Sequence, residues 1–390
     1  MPRFPALSPT ITAMSGSRFS EVVQRARQSG QPICPLHIGD TWMPPAQGCR
    51  MEDFTAAEHP GLNRYAPVQG VPALLAAITA QCTERMQVPT ASDQILVTAG
   101  ATGGLGAALG AMLDPGDEVI IPTPYWPLIA GIVRTFRGKA VEAPFFGEAQ
   151  TAEQAVALLE AGRTDRTVAV YINSPNNPTG RLIPRSWMQA IVQWATDHDL
   201  WLIADEVYEH CVFAEGHVYV RSLAPDRTFS VHSFSKAFGM AGNRCGYVVC
   251  PPAAMVDVRK VSTHTFYSAP TASQLAAARV LEGPGLAWAA EAREKYRALG
   301  EMAAERLGLP APEGSTFLFV DVSSQLSDQL PEGESGALGA FMNQLADQGL
   351  LLAPGPRFGP YPNHVRVCFT SAAPEIITRG IDILCRALDR

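Results

Sequence analysis

The sequence predicts an α/β protein: a large domain with a mostly parallel sheet flanked by helices on both faces, plus a smaller α/β domain. Three observations carry this. Short apolar runs alternate with longer helical patterns, the order of strand–helix–strand units. Polar residues follow directly on the apolar runs, where open α/β sheets bind their ligands. A second set of strand-like runs comes late, after a long helical stretch.

Taken in order, the strands are expected at 94–98, 118–122, 168–172, 200–204, 228–232 and 247–250. Each is too short for a stable helix and apolar almost throughout, as strands buried on both faces read. Helical patterns fall between most of them, at 102–113, 126–136, 152–161 and 186–198. A long helical stretch follows at 287–307, then two more strands at 316–321 and 364–369. The Gly/Pro group at 282–286 reads as a hinge between the two parts.

The chain has 390 residues, 47% hydrophobic and 17% charged, ample for a large core and a second, smaller one. The net charge of −7, without a basic run, argues against a nucleic-acid surface. No stretch approaches the ~18 uninterrupted apolar residues of a membrane span. The start, MPRFPALSPTITAM, has prolines where a signal peptide would need an apolar run. A soluble, cytoplasmic protein is expected. The eight cysteines form no C-x-x-C pair and read as buried thiols. The eight histidines show no metal spacing, so no zinc or other metal site is expected.

Three strand ends deliver polar groups toward one crevice. Asn173 follows VAVYI, Asp205 follows LWLIA, and Ser233 and Lys236 follow TFSVH. Singly, each has an ordinary reading: an aspartate caps a helix, an asparagine makes a turn, a lysine is solvated. The lysine is the unusual one. The chain has only four, and Lys139, Lys260 and Lys295 each have an arginine or glutamate within two residues. Lys236 has no charged neighbour until Arg244, and small and apolar residues flank it.

Gly100-Ala-Thr-Gly-Gly-Leu-Gly106 follows a predicted strand and opens a predicted helix. Small residues there let backbone N–H groups approach a phosphate. The spacing also suggests the nicotinamide loop of short-chain dehydrogenases. That reading fails, because about ninety residues precede the loop and none of the nine tyrosines has a lysine four residues on. The phosphate cradle stays; the dinucleotide does not.

Three segments decide the matter: SPNNPTG (174–180), ADEVYEH (204–210) and SFSKAFGMAGNRCGY (233–247). Their order and spacing resemble the class I/II aminotransferases, the aspartate-aminotransferase-like, fold-type I enzymes that use pyridoxal 5′-phosphate. The resemblance covers nearly the whole chain. LSPTITAMSGSRF (7–19) resembles the family's N-terminal arm, and RYAPVQG (64–70) its Y-x-x-x-x-G segment. LDPGDEVIIPTPYWP (113–127) and VRVCFT (365–370) also fit.

The resemblance implies a role for each residue. Lys236 is the Schiff-base lysine, which must react as a free amine and so needs a lowered pKa. Asp205 pairs with the pyridinium nitrogen. Tyr208 and Asn177 hydrogen-bond the ring hydroxyl, and Trp126, rather than Tyr125, stacks on the ring. Backbone N–H groups of Ala101 and Thr102 hold the phosphate with Ser233, Ser235 and Arg244. Tyr65 reaches the phosphate from a second subunit, implying a homodimer with shared active sites. Arg366 clamps the substrate α-carboxylate through its planar guanidinium, helped by the Gly39 backbone. A departure at 39–45, GDTWMPP in place of G-E-P-x-F-x-x-P, puts Trp42 and Met43 near the substrate side chain. Thr102 stands where some aspartate-specific members carry lysine.

The implied activity is transfer of an amino group from an L-amino acid to a 2-oxo acid by way of pyridoxamine phosphate. The cofactor-binding domain is expected at 46–285. The smaller domain, from 1–45 and 286–390, would close over the substrate. A C–S β-lyase on the same scaffold is the alternative, since the same lysine, aspartate and arginine serve elimination. A cofactor-binding regulator would carry an added DNA-binding domain, and the arm-like segment starts too early to leave room for one.

Overall fold

In a sheet of seven strands, three end on Asn173, Asp205 and Ser233. The strands are β1 (Ile95–Thr98), β2 (Glu118–Thr123), β3 (Lys139–Pro144), β4 (Thr167–Asn173), β5 (Trp201–Asp205), β6 (Thr228–Ser233) and β7 (Gly246–Val249). Their order across the sheet is β1-β7-β6-β5-β4-β2-β3. The computed structural model describes residues 7–14, 20–327, 329–333 and 336–390. Of the opening and arm-like segments, 1–6 and 15–19 lie outside the described residues.

The sheet is parallel except at β7, which runs antiparallel to both β1 and β6. Helices cover both faces. In chain order the first nine helices are α1 (Pro9–Thr12), α2 (Ser20–Gln28), α3 (Pro72–Met86), α4 (Gly100–Met112), α5 (Leu128–Thr135), α6 (Ala152–Glu160), α7 (Arg185–Asp197), α8 (Pro252–Thr265) and α9 (Thr271–Glu282), of which α2 packs instead with Ala346 and Leu351 of the second part. Alternation along the strands sorts the core. Ile121, Tyr171 and Ile203 pack with Leu105, Ile129 and Val258 of α4, α5 and α8. Ile120, Val170 and Leu202 pack with Leu159 and Ile191 of α6 and α7. Val97 and Val249 meet Leu74, Ile78 and Ala276 of α3 and α9.

Successive side chains point to opposite faces, so a one-residue slip of β5 would exchange Ile203 and Asp205 for Leu202 and Ala204. Each large aliphatic side chain buried contributes roughly 1.5–3 kcal/mol. The apolar pattern therefore fixes the register, and the register fixes which face Asp205 occupies.

Helix α10 (Pro284–Arg306) leads to a second sheet, β8 (Phe317–Asp321), β9 (Ala353–Pro354) and β10 (His364–Cys368), with α11 (Ala337–Asp347) and α12 (Pro374–Ala387). Its order is β8-β10-β9, all antiparallel. The N-terminal segment joins it: Leu36 O accepts from Cys368 N at 2.8 Å, and Leu351 N donates to Cys34 O at 3.0 Å. Leu36, Leu318, Val367, Phe341 and Ile381 share one core.

The expected strands are present, with ends shifted by a residue or so. Two were missed. β3 is an edge strand with only Ala143 buried, so it shows no apolar run. β9 has two residues. The Gly/Pro group at 282–286 is a joint of one residue, Gly283, between α9 and α10. Helix α10 starts before the expected position because proline suits the first helical turn. All eight cysteines are buried free thiols. Among the described residues no helix is long and apolar enough to cross a membrane.

Candidate active site

A cavity opens at the carboxyl ends of β4, β5 and β6, roofed by β8 and β10. Lys236, Asp205, Asn177, Tyr208, Arg244 and Arg366 all line it. Residues far apart in sequence are brought there because parallel strands end on the same edge of the sheet.

Lys236 lies in the turn after β6, and its Nζ donates to the carbonyl of Gly39. Burial pulls its pKa below the usual lysine range, and the Arg366 and Arg244 charges add to this. The Cys368 and Asp40 groups oppose it. The sequence context that made Lys236 conspicuous is thus the physical means of favouring its free amine.

Asp205 is 3% exposed at the end of β5. Its Oδ2 accepts from the Tyr171 phenol at 2.5 Å. Its Oδ1 is buried with no hydrogen-bond partner. Burial pushes the carboxyl up to about 6, against the Tyr171 hydroxyl, the Val207 N–H, His232 and Lys236, which favour the anion. A buried acceptor left unpaired costs about 1–3 kcal/mol, so this oxygen calls for a donor that the described residues do not supply.

Asn173 ties the neighbouring strands together. Its Nδ2 donates to Asp205 O at 2.9 Å, and its Oδ1 accepts from Asn177 N at 2.8 Å. Asn177 is thereby held with its Nδ2 at 3.5 Å from the Tyr208 hydroxyl. Its Oδ1 accepts from Arg366 Nη1 at 3.0 Å. Tyr208 is buried beside Phe317, and burial pushes its phenol up. Arg366 also donates through Nη2 to His37 O at 2.9 Å. Its guanidinium lies 4.1 Å from the Phe317 ring centroid and 4.9 Å from that of Phe358. Rings on either side restrict the fork to few orientations.

The other end of the cavity suits an anion. Helix α4 begins at Gly100 without a side-chain cap, so its first N–H groups, at Ala101 and Thr102 among others, have no partner in the helix. Ser233, Ser235 and Arg244 face the same space. Gly100 has φ +72°, and a Cβ there would sit 2.6 Å from Arg244 Nη2. A Cβ at Gly246 would come within 2.8 Å of Ala101 N. The backbone is drawn in around the helix start, leaving no room for side chains.

Trp126 lines the cavity, whereas Tyr125 turns into the core and donates to Glu142 Oε1 at 2.6 Å. Gly39 is also in the lining. Two predicted residues are not. Trp42 packs against the cluster of Met43, Ala292 and Tyr296, its backbone N donating to Thr370 O at 2.8 Å. That bond holds the 40–43 segment against the strand end after β10 and turns the indole toward α10. Tyr65 is 89% exposed and meets Tyr267 edge-on at 5.3 Å, in a separate surface recess. Within one chain it is not part of the cavity's lining.

Sequence reasoning placed Asn173 at the crevice but passed over Tyr171 and Phe317. Tyr171 was within reach: it is two residues before Asn173 on one strand, so the two share a face. Phe317 had no signal, because only the packing of the second sheet brings it over the crevice.

The residues fit pyridoxal phosphate: an unpaired buried carboxylate oxygen for a ring N–H, a bare helix start with two serines and an arginine for a phosphate, and a buried amine for an aldehyde. Comparison with known proteins points the same way. The family model described as aminotransferase class I and II matches residues 36–384. A probable aspartate/prephenate aminotransferase of Thermus aquaticus is 30% identical over 403 residues, 99% of this chain and 98% of that protein. An arginine–pyruvate transaminase of Pseudomonas aeruginosa is 34% identical over 357 residues, 87% of this chain and 86% of its own. The solved structure of Thermus thermophilus aspartate aminotransferase with maleate superposes with a TM-score of 0.87 at 28% identity, covering 98% of this chain and 100% of that one.

Proposed function

The chain belongs to the class I and II aminotransferases, pyridoxal-phosphate enzymes that act on amino acids and 2-oxo acids, and from this we propose how its own residues carry out the transfer. The relatives' names favour transfer over the lyase alternative. The observation that carries the reading is the convergence of Lys236, Asp205, Arg244 and Arg366 on one cavity.

Bound pyridoxal phosphate supplies an electrophilic aldehyde carbon and a ring that takes up the electrons left when the substrate Cα loses its proton. Lys236 anchors that carbon through Nζ. When not bonded to the cofactor, the same Nζ would take the Cα proton, and its lowered pKa favours the free base that this needs. Asp205 offers Oδ1 to the ring nitrogen, and the positive N–H opposite favours the carboxylate. Asn177 and Tyr208 would hold the ring hydroxyl, and Trp126 would stack on the ring. The N–H groups of Ala101 and Thr102, with Ser233, Ser235 and Arg244, bind the phosphate. Arg366 would grip the substrate α-carboxylate through two parallel N–H bonds, with the Gly39 backbone completing the clamp.

The division into 46–285 and a smaller domain from 1–45 and 286–390 belongs to the same reading. Closure of the smaller part would exclude water from the proton transfer. A cytoplasmic homodimer is proposed, with Tyr65 of each copy reaching the phosphate in the other. The exposure of Tyr65 supports this, since a large aromatic in water calls for a partner.

The test is the absorbance of the purified protein with pyridoxal phosphate, followed by a panel of L-amino acids that includes aspartate and arginine. A band near ~420 nm, fixed at Lys236 by borohydride, is expected. One amino acid should convert it to ~330 nm, reversibly with a 2-oxo acid. Ammonia release without a 2-oxo acid acceptor would instead mean elimination.

A further inference from the structure

Asp205 treats its two carboxylate oxygens differently, and the residue that divides them is Tyr171. The phenol lies in the apolar layer beneath the site, with Leu105, Ile203 and Phe229, and is 1% exposed. A hydroxyl buried there needs a partner. It finds Asp205 Oδ2 at 2.5 Å and leaves Oδ1 unpaired on the cavity wall. The placement follows from register. Tyr171 pairs with Ile203 and Asn173 with Asp205 across parallel strands, and all four lie on the face toward α4. Asn173 Nδ2 binds the Asp205 carbonyl, so backbone and side chain of Asp205 are each held by β4.

We propose that Tyr171 is a positioning residue for Asp205: its hydrogen bond to Oδ2 aims Oδ1 at the cofactor ring nitrogen and keeps the proton they share on that nitrogen. The inference rests on the cofactor reading given under Proposed function. In a buried site the charged pair, carboxylate and protonated ring, competes with a neutral pair in which the proton has moved to Oδ1. A donor on Oδ2 stabilises the anion more than the neutral acid, whose carbonyl oxygen is the weaker acceptor, and so favours the charged pair. The other groups facing the carboxylate are His232, Lys236, Tyr208 and the Val207 N–H. Among these, His232 and Lys236 act on it through charge, and the phenol is the side chain bonded to it. A protonated ring draws electrons from Cα more strongly, so the bond bears on the rate of proton removal and not on substrate grip.

The test is Tyr171→Phe, which keeps the ring and its packing and removes one oxygen. Wild-type and variant are loaded with pyridoxal phosphate labelled with nitrogen-15 in the ring. The nitrogen chemical shift of the bound cofactor is recorded across pH, together with kcat and KM. In the variant the shift should move toward that of an unprotonated pyridine, and kcat should fall about ten-fold with KM nearly unchanged. A nitrogen shift and kcat equal to wild type would overturn the proposal. As a second variant, 3-fluorotyrosine in place of Tyr171 keeps fold and phenol while making the hydroxyl a stronger donor. It must hold the nitrogen at least as fully protonated as wild type, and a loss of protonation there would equally overturn it. Wild-type protein that takes up no pyridoxal phosphate would sink the cofactor reading itself, a result distinct from an unchanged Phe variant.

Discussion

Arg366 on β10 donates through Nη1 to Asn177 Oδ1, 3.0 Å away in the loop after β4. One hydrogen bond thus joins the three-stranded sheet to the seven-stranded one across the cavity. Asn177 is itself fixed by Asn173, and the guanidinium is set against Phe317 and Phe358. The fork is therefore oriented before any substrate arrives, which reduces what binding must spend on ordering it.

Arg366→Lys keeps the charge and loses the planar fork. Two charge-assisted hydrogen bonds are at stake, each about 1.5–3 kcal/mol. The expected result is a fall of about 100-fold in kcat/KM for L-amino acids, mostly in KM. The cofactor band should be unaltered. A lost cofactor band with normal KM would show that Arg366 serves the cofactor instead.

Lys236→Ala should still take up pyridoxal phosphate, because the phosphate cradle and Asp205 are untouched. Borohydride should fix nothing at position 236, as read by peptide mass mapping. Transamination should fall by about four orders of magnitude or more, the scale of losing both anchor and proton carrier. Turnover within ten-fold of wild type would remove Lys236 from the mechanism.

Gly100→Ala tests the phosphate end. The position has φ +72°, and the new methyl would meet Arg244 Nη2 at 2.6 Å. The left-handed conformation costs an alanine roughly 1 kcal/mol, and the displaced guanidinium loses its aim. Cofactor affinity, measured by fluorescence titration of the cofactor-free protein, should weaken at least ten-fold. Unchanged affinity would mean the phosphate sits elsewhere.

Asp205→Asn tests the cost of the buried carboxylate. The carboxyl sits at about 6 in the folded protein against an ordinary 3.8. Between those values the folded state holds more protons than the unfolded one, so stability falls as pH rises from about 4 to 6. Above 6 the burial penalty is present in full. The cofactor-free Asn variant should therefore exceed wild type in urea denaturation above pH 6, by up to roughly 3 kcal/mol. The advantage should shrink to nothing near pH 4. Equal stability at every pH would show that the carboxylate is better solvated than its burial implies.

Much of this site was legible because its residues stand at strand ends. Asn173, Asp205 and Ser233 close β4, β5 and β6, and an apolar run followed by a polar residue marks such an end without any coordinates. Lys236 was legible for a related reason: a charge among small apolar neighbours is costly, so its presence needs an explanation. The edge strand β3 was not legible, since an exposed edge needs no apolar run. The orientation of Trp42 was not legible, because position along the chain says nothing of which way a loop residue turns; a backbone bond to Thr370 O sets its segment against the strand end after β10.

The sequence by itself determined most strands of the sheet, its parallel core, the glycine-rich helix start and the ionisable groups at the strand ends, because periodicity and strand-end chemistry are local properties. Only the tertiary structure decided what those groups touch. It set the Tyr171 phenol on one oxygen of Asp205 and left the other unpaired. It laid Phe317 beside Arg366 and brought residue 366 to residue 177. Such contacts depend on strand register and on the packing of two sheets, which are fixed by the burial of many side chains together and are written in no single stretch of the chain.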